Sequence, residues 1–265
     1  MADDLSDLFF RDGPPRMSPL DAARAGLQAN LPRRFYKQAG FTESSVGYVL
    51  TLDGRAARTP GKAPLAVPGQ AAAEAVAAEW DRQGDVIDPA TMPLTRLANT
   101  AIDGVASRLD DVAAEVARYG ASDLLCYRAA DPARLVARQV QTWDPLLAWA
   151  DEALGARFLL AEGVMFVAQP EASLAAIVIA VHRFSDPFAL ASLSTMTTLT
   201  GSVVLALAVA HGRLSPQEAW AAAHVDEDFQ MELWGEDDEA MLRRASRWRE
   251  MEAAALLLAS SSLSK

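Results

Sequence analysis

Apolar residues alternate with polar ones only in the first third of the chain; beyond it they recur at helical spacing. Val46–Leu52 reads as a strand, and Asp53-Gly54 is a hairpin turn signal that hands over to a return strand at Arg55–Thr59. Pro60-Gly61 turns the chain again before a short third strand at Leu65–Val67, and Pro68-Gly69 ends the sheet. From Gln70 to Arg82 the pattern is helical, with Val76 and Trp80 four apart and Gly84 as the stop. From Pro93 onward it is almost wholly helical: Leu94, Leu97, Ala101 and Val105 share a face, and Leu109, Val112, Val116 and Tyr119 continue it. Asp131-Pro132 opens another helix, which Trp143-Asp144-Pro145 punctuates before Leu146–Leu154. One extended segment is expected at Gly163–Gln169. Helices follow from Pro170 to Phe184, from Asp186-Pro187 onward, and from Glu239 to Leu258.

The pattern predicts an α+β protein with a small N-terminal β-hairpin and helix unit followed by a larger all-α helical domain. The expected boundaries are a mobile tail over residues 1–30 with one short helix near Pro19–Gln28, an α+β domain over 31–92, and a helical domain over 93–265. Phe188–Gly212 holds no Asp, Glu, Lys or Arg, which raises the question of a membrane span. Its hydroxyls and Gly201 interrupt it, and the purely apolar run Val203–Ala210 is far short of the roughly 20 residues a span needs. A central bundle helix is expected there.

Leu214–Glu239 has the most unusual pattern. Ser215, Pro216 and Glu218 form a capping-box start, and the helix is expected to run to Trp234, where Gly235 stops it. Ala222, Val225, Phe229 and Leu233 share one face; Trp220, Met231 and Trp234 fall on roughly the opposite side. Asp226, Glu227, Asp228 and Glu232 lie between, Glu236–Glu239 follow, and no Lys or Arg occurs between Arg213 and Arg243. Two uses fit a helix with two apolar sides and an uncompensated negative field. It is either sandwiched in a bundle with its acids solvated, or it docks a partner, offering Glu227, Asp228, Gln230, Met231, Glu232 and Trp234. Crowded acids near the negative end of a helix dipole do not help folding, so in the second case Glu232 and Asp228 are expected to matter for binding and little for stability.

With 265 residues the chain can bury a substantial core. A formal charge of −11 argues against nucleic acid or an anionic membrane as partner and favours a basic or apolar protein. Cys126 is the only cysteine, so no internal disulfide and no cysteine-rich zinc site is expected. The acidic start has neither a secretory nor a presequence pattern, and a bacterial cytoplasm is the expected compartment. Known catalytic and nucleotide-binding motifs are missing, and His182, His211 and His224 have no ligand partners at metal spacing, so neither a cofactor, a metal nor a small-molecule substrate is expected. Cys126 reads as a buried thiol, Asp123 and Arg128 as a structural ion pair or cap, and Trp80 and Trp143 as core anchors. The enzymatic alternative rests on Asp228 and Glu232, four apart on a helix edge and able to share a proton. A structural assembly subunit would require a stable stoichiometric complex.

Several pieces resemble, in order and spacing, the F1-ATPase assembly chaperones that attend the alpha subunit. They are Arg34-Phe35-Tyr36-Lys37, Leu52-Asp53-Gly54-Arg55, Thr59-Pro60, Glu79-Trp80-Asp81 with Gln83, Met92-Pro93-Leu94-Thr95, Asp123-Leu124-Leu125-Cys126-Tyr127-Arg128, Gln139 with Trp143-Asp144-Pro145, and Gln230 with Trp234-Gly235. The resemblance implies an α+β part and a helical part, no ATP consumption, and binding of the unassembled F1 alpha subunit until the beta subunit replaces it. Arg55 is grouped with Trp80, Asp123, Arg128 and Trp143 among the expected structural residues, and the resemblance places Glu232 in the segment used on the alpha subunit. Eukaryotic relatives work in the mitochondrial matrix; they tend to follow Trp-Gly with Glu and a His-Asp pair, where this chain has Glu236-Asp237-Asp238-Glu239-Ala240.

Overall fold

The computed structural model describes residues 31–163 and 167–261. The expected tail over 1–30, with its short helix, lies outside the described residues. Among the described residues, contacts group 31–35 with Gln83–Asp88 in one unit and Tyr36–Arg82 with 89–163 and 167–261 in another. In the first, Arg33 bridges Val86 in antiparallel fashion, flanked by Arg34 N–H to Asp85 (2.9 Å) and Ile87 N–H to Pro32 (2.8 Å).

In the second unit the α+β character is as expected. Strands β1 (Ala39–Ser44) and β2 (Gly47–Leu52) form a hairpin, and β2 also pairs with β3 (Arg55–Ala56) and β4 (Ala66–Val67). The Asp53-Gly54 turn has both residues at positive φ, 47° and 77°, the mirror-image turn that matches strand twist. The Asp53 carboxylate also accepts from the Lys37 and Gln38 N–H groups at 3.0 and 2.9 Å, tying the turn to the chain entering β1. Gly47 is required where it stands: at φ 113° a Cβ would lie 2.6 Å from the Val67 carbonyl oxygen. β1 was not expected, because Ala39–Ser44 lacks apolar alternation and is held by its register with β2.

Helix α1 (Gln70–Asp81) buries Ala72, Ala73, Val76 and Ala77, packing on β1 and β2. Helix α2 (Pro93–Thr100) starts at Met92, which has no side chain able to cap it. Glu79 of α1 supplies the cap instead: its buried carboxylate accepts from Leu94 N–H, Thr95 N–H and Thr95 Oγ1 at 2.8, 2.8 and 2.6 Å. That cap ties α1 to α2 across the boundary expected after residue 92. Burial pushes the Glu79 carboxyl up from its ordinary range, against these hydrogen bonds.

The helical part continues with α3 (Leu109–Ala117), α4 (Ala133–Trp149), α5 (Glu171–His182), α6 (Pro187–Thr200), α7 (Val203–Ala210), α8 (Pro216–Ala223), α9 (Val225–Trp234) and α10 (Asp238–Ser260). Helix α4 runs through Pro145 rather than stopping there; the carbonyl that loses its bond belongs to exposed Gln141. The charge-free stretch is broken at Gly201, which sits at φ 68° and ends α6. Ser202 then caps α7 through Leu205 N–H (3.0 Å), and Val203–Ala208 are fully buried. Among the described residues no helix is long and apolar enough to cross a membrane. A two-residue parallel pair, β5 (Tyr127–Arg128) with β6 (Ala161–Glu162), falls where no strand was expected; of the segment expected to be extended, residues 164–166 lie outside the described residues.

Candidate functional site

The long helix expected over 215–234 is two helices. The capping box forms as expected: the Ser215 hydroxyl accepts from Glu218 N–H, and the Glu218 carboxylate accepts from Ser215 N–H. At His224, however, the imidazole donates from Nδ1 to the Trp220 carbonyl (2.7 Å), the acceptor that the His224 N–H would use in a continuous helix. The His224 N–H turns to Ala221 instead, the backbone moves to φ −114°, and a separate helix, α9, begins at Val225. The ring stacks on Trp220 at a centroid distance of 4.1 Å, and Trp220 meets Trp248 of α10 at 5.5 Å. Burial holds the His224 imidazole below its ordinary range. Trp220 is therefore core, and not part of an exposed face with Met231 and Trp234.

The negative field of α9 is compensated, contrary to expectation, by cations distant in sequence. Glu232 pairs with Arg134 (2.9 Å) and Arg138 (2.8 Å) of α4, which holds its carboxyl below the usual carboxylate range. Asp228 pairs with Arg244 of α10, and Asp226 accepts from Gln139 Nε2 at 2.7 Å. Phe229 is buried under the guanidinium groups of Arg134 and Arg138, 5.8 and 5.7 Å from its ring centroid. Asp228 and Glu232, the pair on which the enzymatic alternative rests, thus face different cations rather than each other.

Past Phe229 the helix leaves the core. Leu233, expected on the buried face, is 52% exposed; Trp234 is 83% exposed and Leu242 of α10 is 65% exposed. Gly235, at φ 89°, turns the chain between the two helices, and Asp237 caps α10 through Glu239 and Ala240 N–H at 2.8 and 3.0 Å. This stretch thus exposes apolar side chains among acids. Of the residues expected to bind a partner, Trp234, Gln230 and Glu227 are exposed, Met231 is half-buried, and Asp228 and Glu232 are engaged within the chain. Leu233 and Leu242 are exposed as well, where helical periodicity gave Leu233 to the core and Leu242 lies on the next helix.

The expected structural residues divide as follows. Trp143 is buried and donates from Nε1 to the Ala222 carbonyl (2.8 Å), fixing α4 against α8. Arg128 pairs with Asp144 (2.8 Å), not Asp123, and lies over the Trp143 ring. Asp123 is a cap: fully buried, it accepts from Leu125 N–H (3.0 Å) and Val204 N–H (3.1 Å), and desolvation raises its pKa to about 6. Burial likewise pushes the Cys126 thiol up to about 12. Trp80 is only half-buried, packed on Tyr36 at 5.6 Å. Arg55 is exposed on β3.

The family model of the ATP12 chaperone protein matches residues 33–151. The crystal structure of a candidate chaperone from Agrobacterium tumefaciens is 48% identical over 94% of this chain and 92% of that one, with a TM-score of 0.81. The chain belongs to the ATP12 chaperone family. Atp12 from Paracoccus denitrificans superposes with a TM-score of 0.78 at 42% identity, covering 87% of this chain and 99% of that one. An aspartate-to-lysine mutant of P. denitrificans Atp12p gives 0.77 at 42% identity, over 86% and 97% of the two chains. These matches extend the ATP12 likeness well beyond the residues of the family model, and most of the helical part is included.

Proposed function

We propose that this ATP12-family chaperone binds the unassembled F1 alpha subunit of ATP synthase and shields its apolar surface until the beta subunit takes its place. The observation that carries the reading is the exposure of Leu233, Trp234 and Leu242 along a stretch that also holds the exposed acids Glu236, Asp238 and Glu239. An indole so exposed is poorly used in folding, whereas aromatic anchors inside a partly charged rim are what protein interfaces use. The acids add orientation and a faster encounter with a basic client surface. Co-expression with the F1 alpha subunit tests the proposal: alpha is expected to become soluble and to co-purify with the chain. Alpha that stays insoluble, or is soluble without associating, overturns it.

A further inference from the structure

Helix α5 (Glu171–His182) buries one face and leaves the other bare. Ser173, Ile177, Ala180 and Val181 are buried where the helix packs on α3 and on the turn at Arg118–Ser122. At helical spacing Ala172, Ala175, Val178 and Ile179 fall on the opposite side, and all four are exposed, Ile179 by 61%. No Asp, Glu, Lys or Arg occurs from Ala172 to Val181, and a helix apolar on both sides is ordinarily covered on both. The segment before it adds to the patch. Ser173 Oγ donates to the Arg157 carbonyl, and the Gln169 side chain holds Leu159 by both its N–H (2.8 Å) and its carbonyl (2.9 Å), which keeps exposed Leu159 and Leu160 close to the start of α5.

The two ends of the bare face carry opposite signs. Glu171 stands in its first turn, His182 and Arg183 stand at its last, and all three are exposed. Among the described residues neither Glu171 nor Arg183 is in a salt bridge. A matching surface must present base, apolar stretch and acid in the reverse order, and α5 itself, turned end over end, does so. About a two-fold axis at the level of Ile177, Glu171 of one copy comes level with Arg183 of the other, and Ala175 with Ile179, so that small meets large. Antiparallel axes also set the helix dipoles in the favourable sense. We propose that this face pairs with its own counterpart on a second copy of the chain, forming a two-fold dimer through α5. The helix has 12 residues and is about 18 Å long, so the contact falls short of the roughly 800 Å² per partner of a standard interface. Two chains of net charge −11 also repel one another. The dimer is therefore reversible and forms at micromolar concentration or above, and the inference does not depend on the proposed chaperone function.

Sedimentation of the full chain, from micromolar to millimolar concentration, tests it. Monomer and dimer in exchange are expected. Ile179→Asp sets a charge in the apolar centre and should raise the dissociation constant at least about tenfold. Glu171→Arg and Arg183→Glu should each weaken the dimer, because like charges then face each other at both ends. The double variant exchanges the two ends and should recover the parent's affinity, a rescue that only antiparallel self-pairing gives. All these positions are exposed, and thermal midpoints near the parent's confirm that each variant folds. A chain that is monomeric throughout, a dimer that Ile179→Asp leaves intact, or a double variant no tighter than the single ones overturns the proposal. So does a monomeric parent whose capture of the F1 alpha subunit Ile179→Asp abolishes, since the face then belongs to the client.

Discussion

Single side chains in this protein act mostly as imported caps. Asp123 carries the main charge cost: it holds the start of α7 and the turn at Leu125 from a fully buried site, and its pKa is raised to about 6 from 3.8. With the folded value above the unfolded one, the native state binds the proton more tightly. The associated stability is complete below about pH 4 and is lost as pH rises through about 6, on the order of 2–3 kcal/mol in total. In Asp123→Asn that titration is gone, and the new amide N–H₂ faces a backbone donor, at a cost of about 1–3 kcal/mol. Unfolding free energies of parent and variant should therefore differ more at pH 4 than at pH 7; a difference independent of pH would show that Asp123 does not titrate in this window. Trp80→Arg is expected to act through folding. The indole's contact with Tyr36 is lost, and a Trp truncated in a core costs about 3–5 kcal/mol, an upper bound for a half-buried ring. A lower thermal midpoint with reduced soluble yield is the expected result, and an equally stable but inactive variant would move Trp80 to an interface.

At the scale of elements, α9 is held to the bundle by its acids. From the sequence these acids look mutually repulsive and dispensable for folding; in the structure Glu232 is the point where α4 grips the last turn of α9. Glu232→Gln should lower the thermal midpoint slightly and Glu232→Lys more, with Arg138→Glu restoring part of the loss in the lysine background. The differences should shrink in high salt, because the pairs are exposed and screened. Midpoints unchanged at low salt would return Glu232 to the free acids. What local pattern encodes was legible in the chain: the Asp53-Gly54 turn, the Ser215–Glu218 box, the buried helix at Val203–Ala210 and the change from sheet to helix. What depends on partners far along the chain was not. Arg134 and Arg138 precede Glu232 by almost a hundred positions, Glu79 caps a helix whose own start looks uncapped, and the kink at His224 depends on a ring nitrogen taking a backbone acceptor. Likewise Leu233 satisfies the helical period but lies past the end of the core, so periodicity put it inside although it is exposed beside Trp234.

At the scale of the whole molecule, a chain of net charge −11 concentrates acids around its most exposed indole, so binding and folding can be separated by one substitution. Trp234→Ala removes a side chain with few intramolecular contacts, and exposed positions of this kind change stability by no more than about 0.5 kcal/mol. If this exposed stretch is the client's anchor, the same truncation removes a central aromatic contact, which costs about 2 kcal/mol or more, roughly thirtyfold in affinity. The acids around it should steer encounter rather than hold the complex. Raising salt should therefore slow association while dissociation from the parent stays nearly constant, and Trp234→Ala should chiefly hasten dissociation. Both rates, measured with the F1 alpha subunit alongside the thermal midpoint of each preparation, decide the matter. A variant that folds as the parent does and releases alpha at the parent's rate would take Trp234 out of the interface, and a variant whose midpoint collapses would make the exposed indole part of the fold.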